Sequence, residues 1–166
     1  MPDATLIDMT TWNLLDLDRA LRASWAADTC SPDDVRREQW RPDNPSRGHC
    51  DISTLLVHDL FGGDLMVGEV HLDGEQHGFH WWNTLPSGIE LDVTAEQFRH
   101  GQRVTGARAV TRPQGPLRHR WEEYLLLRER VALHLGPLPA PGAMVHPAGE
   151  ATGQMSIAGP SRSSES

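Results

Sequence analysis

A chain of 166 residues with 38% hydrophobic content has material for one core of ordinary domain size, and a second independent domain is not expected. Its formal charge of −8 opposes nucleic acid as a partner, because a phosphate-backbone binder displaces counterions with clustered cations. All 15 basic residues are arginine, which removes a P-loop lysine, a Schiff-base lysine and a Ser–Lys dyad together, and two cysteines are too few for a disulfide scaffold or a four-cysteine zinc site.

In chain order, Met1-Pro2-Asp3-Ala4 has no basic stretch leading into an apolar one, so no secretory signal is expected. The longest apolar runs, such as Thr54-Leu55-Leu56-Val57, fall far short of the roughly 20 residues a membrane-spanning helix needs. A soluble cytoplasmic protein with reduced thiols and no membrane partner is the expectation. Leu14, Leu17, Leu21 and Trp25 repeat at helical spacing behind Thr10-Thr11, which predicts a capped helix over 12–27. Residues 28–48 carry Pro32, Pro42 and Pro45 among many charges and read as irregular, with a helical turn over 32–38. Ile52, Leu55, Leu56, Asp59 and Leu60 then mark a buried helix that Cys50 begins and Gly62-Gly63 ends.

Three β-rich segments follow at 64–72, 76–85 and 89–94, separated by Asp73-Gly74 and Pro86-Ser87-Gly88, which predicts two hairpins. A fourth strand is expected over 103–111. A last helix runs from Leu117 to Leu135, with Arg128 interrupting its apolar face and Gly136 ending it. From 136 to 166 the chain is rich in Pro, Gly, Ser and Ala and is expected to form a disordered tail. Helices on either side of antiparallel strands fit a single α+β domain over 1–135.

A cysteine in the first turn of a helix faces unpaired backbone N–H groups and the positive end of the dipole, both of which favour thiolate. Cys50 is so placed, and Gly48 would let the backbone turn and a substrate carbonyl approach the Cys50 amide. Buried cysteines are also common core residues, and that alternative stays open. Cys30, in a loop beside Thr29, has a weaker case.

His80 lies in the strand Phe79-His80-Trp81-Trp82-Asn83, where alternation puts His80 and Trp82 on one face. A thiol nucleophile needs an imidazole as base and acid, and the imidazole needs an acceptor that fixes its tautomer. Asp92 can be that acceptor. If Pro86-Ser87-Gly88 is a three-residue loop, Leu85 pairs with Ile89 and Trp82 faces Asp92, so His80 and Asp92 become diagonal neighbours on one face. A loop of two or four residues separates them. Otherwise His80 is a satisfied core histidine and Asp92 caps the turn at Thr94-Ala95-Glu96.

Nine histidines raise the question of a metal, with His71, His77 and His80 close together. His77 and His80 have opposite strand parity, and neither His-Glu-x-x-His nor Cys-x-x-Cys occurs, so no metal and no cofactor are expected. A zinc-dependent hydrolase is an outlying alternative. Adjacent Trp81 and Trp82 face opposite ways, one into the core and the other free to stack on a ligand.

Ser24-Trp25, Thr29, Trp40, Asn44-Pro45, Gly48-His49-Cys50, Gly62-Gly63, His80-Trp81-Trp82-Asn83 and Asp92-Val93-Thr94-Ala95-Glu96-Gln97-Phe98, in this order, resemble the YunG-like family of small bacterial proteins. The resemblance runs from about Leu14 to Phe98 and leaves the tail outside. The same segment is similar to the transglutaminase and papain-like superfamily, where a helix-start Cys is followed by a strand His and an Asp or Asn on a neighbouring strand. It implies a papain-like (transglutaminase/NlpC-like) core with Cys50, His80 and Asp92 as a catalytic triad. It also implies a second oxyanion donor, for which Gln39, Asn44 and Thr29 are candidates. His49 replaces the Gln usual before the cysteine in the YunG-like pattern, and His49, Gly48 and Trp82 join the substrate-positioning candidates.

The expected function is cysteine-dependent acyl transfer on a peptide, isopeptide or carboxamide bond, as hydrolase, deamidase or transamidase, with a protein or peptide-like substrate. The rival is a non-catalytic binding or interaction module on the same fold.

Overall fold

The computed structural model describes residues 12–98 and 101–142. Helix α1, Leu14–Ser24, starts two residues later than the pattern predicts because Asn13, not Thr10 or Thr11, caps it. The Asn13 side chain accepts from the amides of Leu15 and Asp16, and the Asp16 carboxylate accepts from the Asn13 amide in return. Its buried face, Leu17, Ala20 and Leu21, packs toward α4, Trp121–Leu135. A short helix α2, Pro32–Arg37, carries proline in its first turn, where the missing N–H has no partner to lose.

Helix α3, Cys50–Phe61, is buried along most of its length and ends at Gly62, whose φ of +75° suits a residue without Cβ. It lies on β1, Asp64–Leu72, and β2, Glu75–Thr84, and against α4. With β3, Glu90–Leu91, and β4, Arg103–Val110, these strands form an antiparallel sheet in the order β3-β2-β1-β4. Leu17, Leu21, Ile52, Leu56, Val57, Tyr124, Leu127 and Val131 fill a core between the helices and the sheet. The chain is thus α+β, with a small sheet flanked by helices.

The second hairpin has the three-residue loop. The Leu85 amide donates to the Ile89 carbonyl at 2.8 Å, Thr84 pairs with Glu90 and Asn83 with Leu91. That register puts His80 and Asp92 on one face. The third strand is much shorter than its composition predicts. Asp92 accepts from the Thr94 amide at 3.1 Å and the Thr94 hydroxyl at 3.3 Å, and this local turn competes with the ladder and leads into a 3₁₀ turn, Ala95–Gln97.

The last helix begins at Trp121, not Leu117, because Arg120 sits in the left-handed region at φ +69°. Arg128 does not interrupt it. The side chain is buried, donates to the Tyr124 hydroxyl and the Pro139 carbonyl, and lies 3.9 Å from Asp59, which Arg112 grips through two bonds at 2.6 and 3.0 Å. Leu138 also packs on the core, so the body of the domain extends past 135. The rest of the expected tail, 143–166, lies outside the described residues. Among the described residues no helix is long and apolar enough to cross a membrane.

Candidate functional site

The loop before α3 is tied down from several sides. Gly48 has φ +76°, and a Cβ there would stand 2.4 Å from the Cys30 sulfur, so its small size serves packing against Cys30. His49 is fully buried; its Nδ1 lies 2.9 Å from the Arg47 carbonyl and its Nε2 2.8 Å from the Thr29 hydroxyl. A carbonyl only accepts, so Nδ1 carries the proton and Nε2 accepts from Thr29. Arg120 reaches across from the start of α4 to the carbonyls of Thr29 and Gly48, at 3.0 and 2.9 Å, and to the Asp51 carboxylate at 3.0 Å. Three distant segments therefore agree on where Cys50 begins its helix.

The half-buried Cys50 lines a cavity together with His80 on β2 and Gln97 in the turn after β3. Burial pushes the thiol up to about 12, and neighbouring Asp51 adds to the rise. Desolvation and an adjacent carboxylate thus oppose the first-turn amides, which favour thiolate. Cys30 is pushed up to about 11 by its own burial.

His80 is 2% exposed and is held at both ring nitrogens. Nε2 lies 2.6 Å from Asp92 Oδ2 and Nδ1 2.8 Å from Gln97 Nε2. The carboxylate accepts and the amide donates, so the proton is on Nε2 and Nδ1 presents a lone pair. Trp82 stacks on the ring at 5.8 Å with an interplanar angle of 16°, and Phe98 meets it edge-on at 4.3 Å. Asp92 spends its other oxygen on Thr94. A cavity of about 250 Å³ opens over this group, lined by Cys50, His80, Gln97, Phe98, Arg37 and Phe79 among others.

Cys50 and His80 thus share one cavity wall, with Asp92 behind the imidazole. The remaining candidates lie elsewhere. Gln39 is exposed, and Asn44 is half-buried in a turn; neither lines the cavity. Thr29 is buried and bonded to His49, and His49 spends both nitrogens on the loop. Trp82 braces His80. His71 pairs with Glu69 at 3.2 Å, and among the described residues no three His, Cys, Asp or Glu side chains gather as metal ligands.

Gln97 was not among the residues singled out by chemistry, although it lay within the motif that carried the resemblance. The signal was the turn itself: an Asp that caps Thr94-Ala95-Glu96 brings the residue after the turn back toward its own side chain.

The family model described as YunG protein matches residues 13–136. A relative from Bacillus subtilis (strain 168), "Uncharacterized protein YunG", is 26% identical over 121 residues, which cover 71% of this chain and 90% of the relative. No solved structure matches the chain. The matched span begins one residue before α1 and ends at the Gly136 that closes α4, so it holds the whole sheet, every described helix and the cavity: the chain belongs to the YunG family.

Proposed function

We propose that this protein is a cysteine-dependent acyl-transfer enzyme with a papain-like arrangement, acting in the cytoplasm on a peptide, isopeptide or carboxamide bond of a protein or peptide-like substrate. The observation that carries this is His80, fixed by Asp92 through Nε2 with its Nδ1 lone pair directed at Gln97, in the wall of a cavity that Cys50 also lines. A base so oriented can take a thiol proton, and Asp92 stabilises the imidazolium that results.

Burial pushes the thiol up, so proton transfer accompanies attack. The Cys50 sulfur bonds to the carbonyl carbon as its proton passes to Nδ1 of His80. The tetrahedral intermediate then expels the amine, which takes the proton from His80, and leaves a thioester. Water resolves the thioester to a carboxylic acid, and an amine acceptor resolves it to a new amide; either returns the proton to Cys50.

The test is acetylation of the full chain by 4-nitrophenyl acetate, read by intact mass and peptide mapping. Acetyl transfer to Cys50 that slows about a hundredfold in His80→Ala supports the proposal. Equal, slow labelling of Cys30 and Cys50 that ignores His80 overturns it. One observation favours a second reading, a non-catalytic interaction module: the Nδ1 lone pair of His80 is taken up by the Gln97 amide.

A further inference from the structure

We infer that Gln97 switches this site between rest and reaction: at rest its amide fills the His80 Nδ1 lone pair that would take the Cys50 proton, and a bound substrate draws that amide onto its carbonyl oxygen. The inference rests on the acyl-transfer proposal and adds a residue to it.

The amide has both of its N–H bonds engaged. Gln97 Nε2 lies 2.8 Å from His80 Nδ1 and 3.4 Å from Thr94 Oγ1, in the lining of the cavity that Cys50 shares. A carboxamide nitrogen has two N–H bonds, so a further acceptor must displace one of these two. That exchange needs only side-chain torsion. Gln97 closes a three-residue 3₁₀ turn, is half-buried, and lines the cavity, so nothing in the core has to move.

A carbonyl oxygen entering beside Cys50 is a third acceptor, and the only one that gains negative charge as the sulfur attacks. Charge-assisted hydrogen bonds are about twice as strong as neutral ones, so the developing oxyanion outcompetes the neutral imidazole for the amide. The exchange bares Nδ1 at the moment the thiol proton must leave. Gln97 thereby takes the oxyanion role that Gln39, Asn44 and Thr29 are too remote or too committed to fill.

The test pairs two probes of Cys50 in Gln97→Met, which keeps volume and loses both N–H bonds. 4,4′-Dithiodipyridine exchanges with the thiol and develops no oxyanion: the sulfur attacks the disulfide, the proton passes to His80, and thiopyridone departs with it. 4-Nitrophenyl acetate develops one. Freed from the latch, disulfide exchange should quicken about tenfold, while acetylation should slow about a hundredfold. Gln97→Asn, which withdraws the amide by one methylene, should move both rates the same two ways by less.

A residue that merely supports the turn moves both rates together, and that result overturns the switch, as do two unchanged rates or exchange that slows. If wild-type Cys50 is acetylated in a His80-dependent way and Gln97→Met moves both rates together, acyl transfer stands and the switch alone falls. If wild-type Cys50 is not acetylated, both fall.

Discussion

His49 should make the folded protein sensitive to mild acid. The ring is fully buried, and its pKa is lowered from 6.5 to about 4 by burial first, with the Arg120 charge adding to the effect. The unfolded chain binds that proton near 6.5 and the folded chain resists it until about 4. Between those values the unfolded state holds more protons, so the stability from a neutral His49 is present above 6.5 and lost as pH falls toward 4. At about 1.4 kcal/mol per pK unit the full loss is about 3 kcal/mol, of which about 2 kcal/mol has gone by pH 5.

Glutamine can replace both bonds, since its N–H₂ can donate to the Arg47 carbonyl and its oxygen can accept from Thr29. His49→Gln should therefore remove this part of the acid sensitivity while keeping the loop in place. Urea unfolding followed by tryptophan fluorescence is the assay. The wild-type midpoint should drop by about 1 M more than the variant's between pH 7 and pH 5. His58, also lowered by burial, contributes to both proteins and cancels in the comparison. A variant whose midpoint falls as steeply as the wild type's refutes the assignment to His49.

Asp92→Asn offers Nε2 a group that can donate as well as accept, so the tautomer is no longer fixed; acetylation of Cys50 should slow by about 10³-fold with Cys50 still present and the fold retained by circular dichroism. Gly48→Ala must adopt φ +76° and meet the Cys30 sulfur. It should destabilise by about 3 kcal/mol, and Cys30→Ala in the same chain should restore all but about 1 kcal/mol of that; additive losses in denaturant titrations would refute the contact. Arg120→Met removes the donor that the Thr29 and Gly48 carbonyls and the Asp51 carboxylate share, and leaves the Gly48 carbonyl with the Ser31 amide alone. A loss of about 3 kcal/mol by thermal or urea unfolding is expected, and an unchanged midpoint would show the clamp to be ornamental.

Local features were the ones legible in the sequence. Counting residues through Pro86-Ser87-Gly88 tied the register to the length of that loop, since hairpin parity depends on little else, and the Leu85–Ile89 bond shows the three-residue case. The boundary at Cys50 and the stop at Gly62 followed from helix-end chemistry. The burial that pushes the Cys50 thiol up was not legible, because a dipole argument uses the helix alone whereas burial depends on what packs around it. Arg120 and Arg128 escaped for the same reason. Arg120 answers to carbonyls 91 and 72 residues away, and Arg128 to a network centred on Asp59, so neither spacing nor periodicity hints at a partner. The periodicity that made Arg128 look like an interruption was correct about polarity and silent about the acid beneath it.

Asp92 joins the fold and the site through its two carboxylate oxygens. Oδ1 takes the Thr94 amide and hydroxyl, which turns the chain out of the ladder after Leu91. That exit leaves β2 without a β3 partner from Trp82 back to His80. The turn then delivers Gln97 to Nδ1 of His80, while Oδ2 holds Nε2 of the same ring. A full-length third strand would pair the edge of β2 and carry Gln97 away along the sheet. The short strand is thus the condition under which an imidazole, a thiol and an amide can meet at one edge, and a single carboxylate sets it.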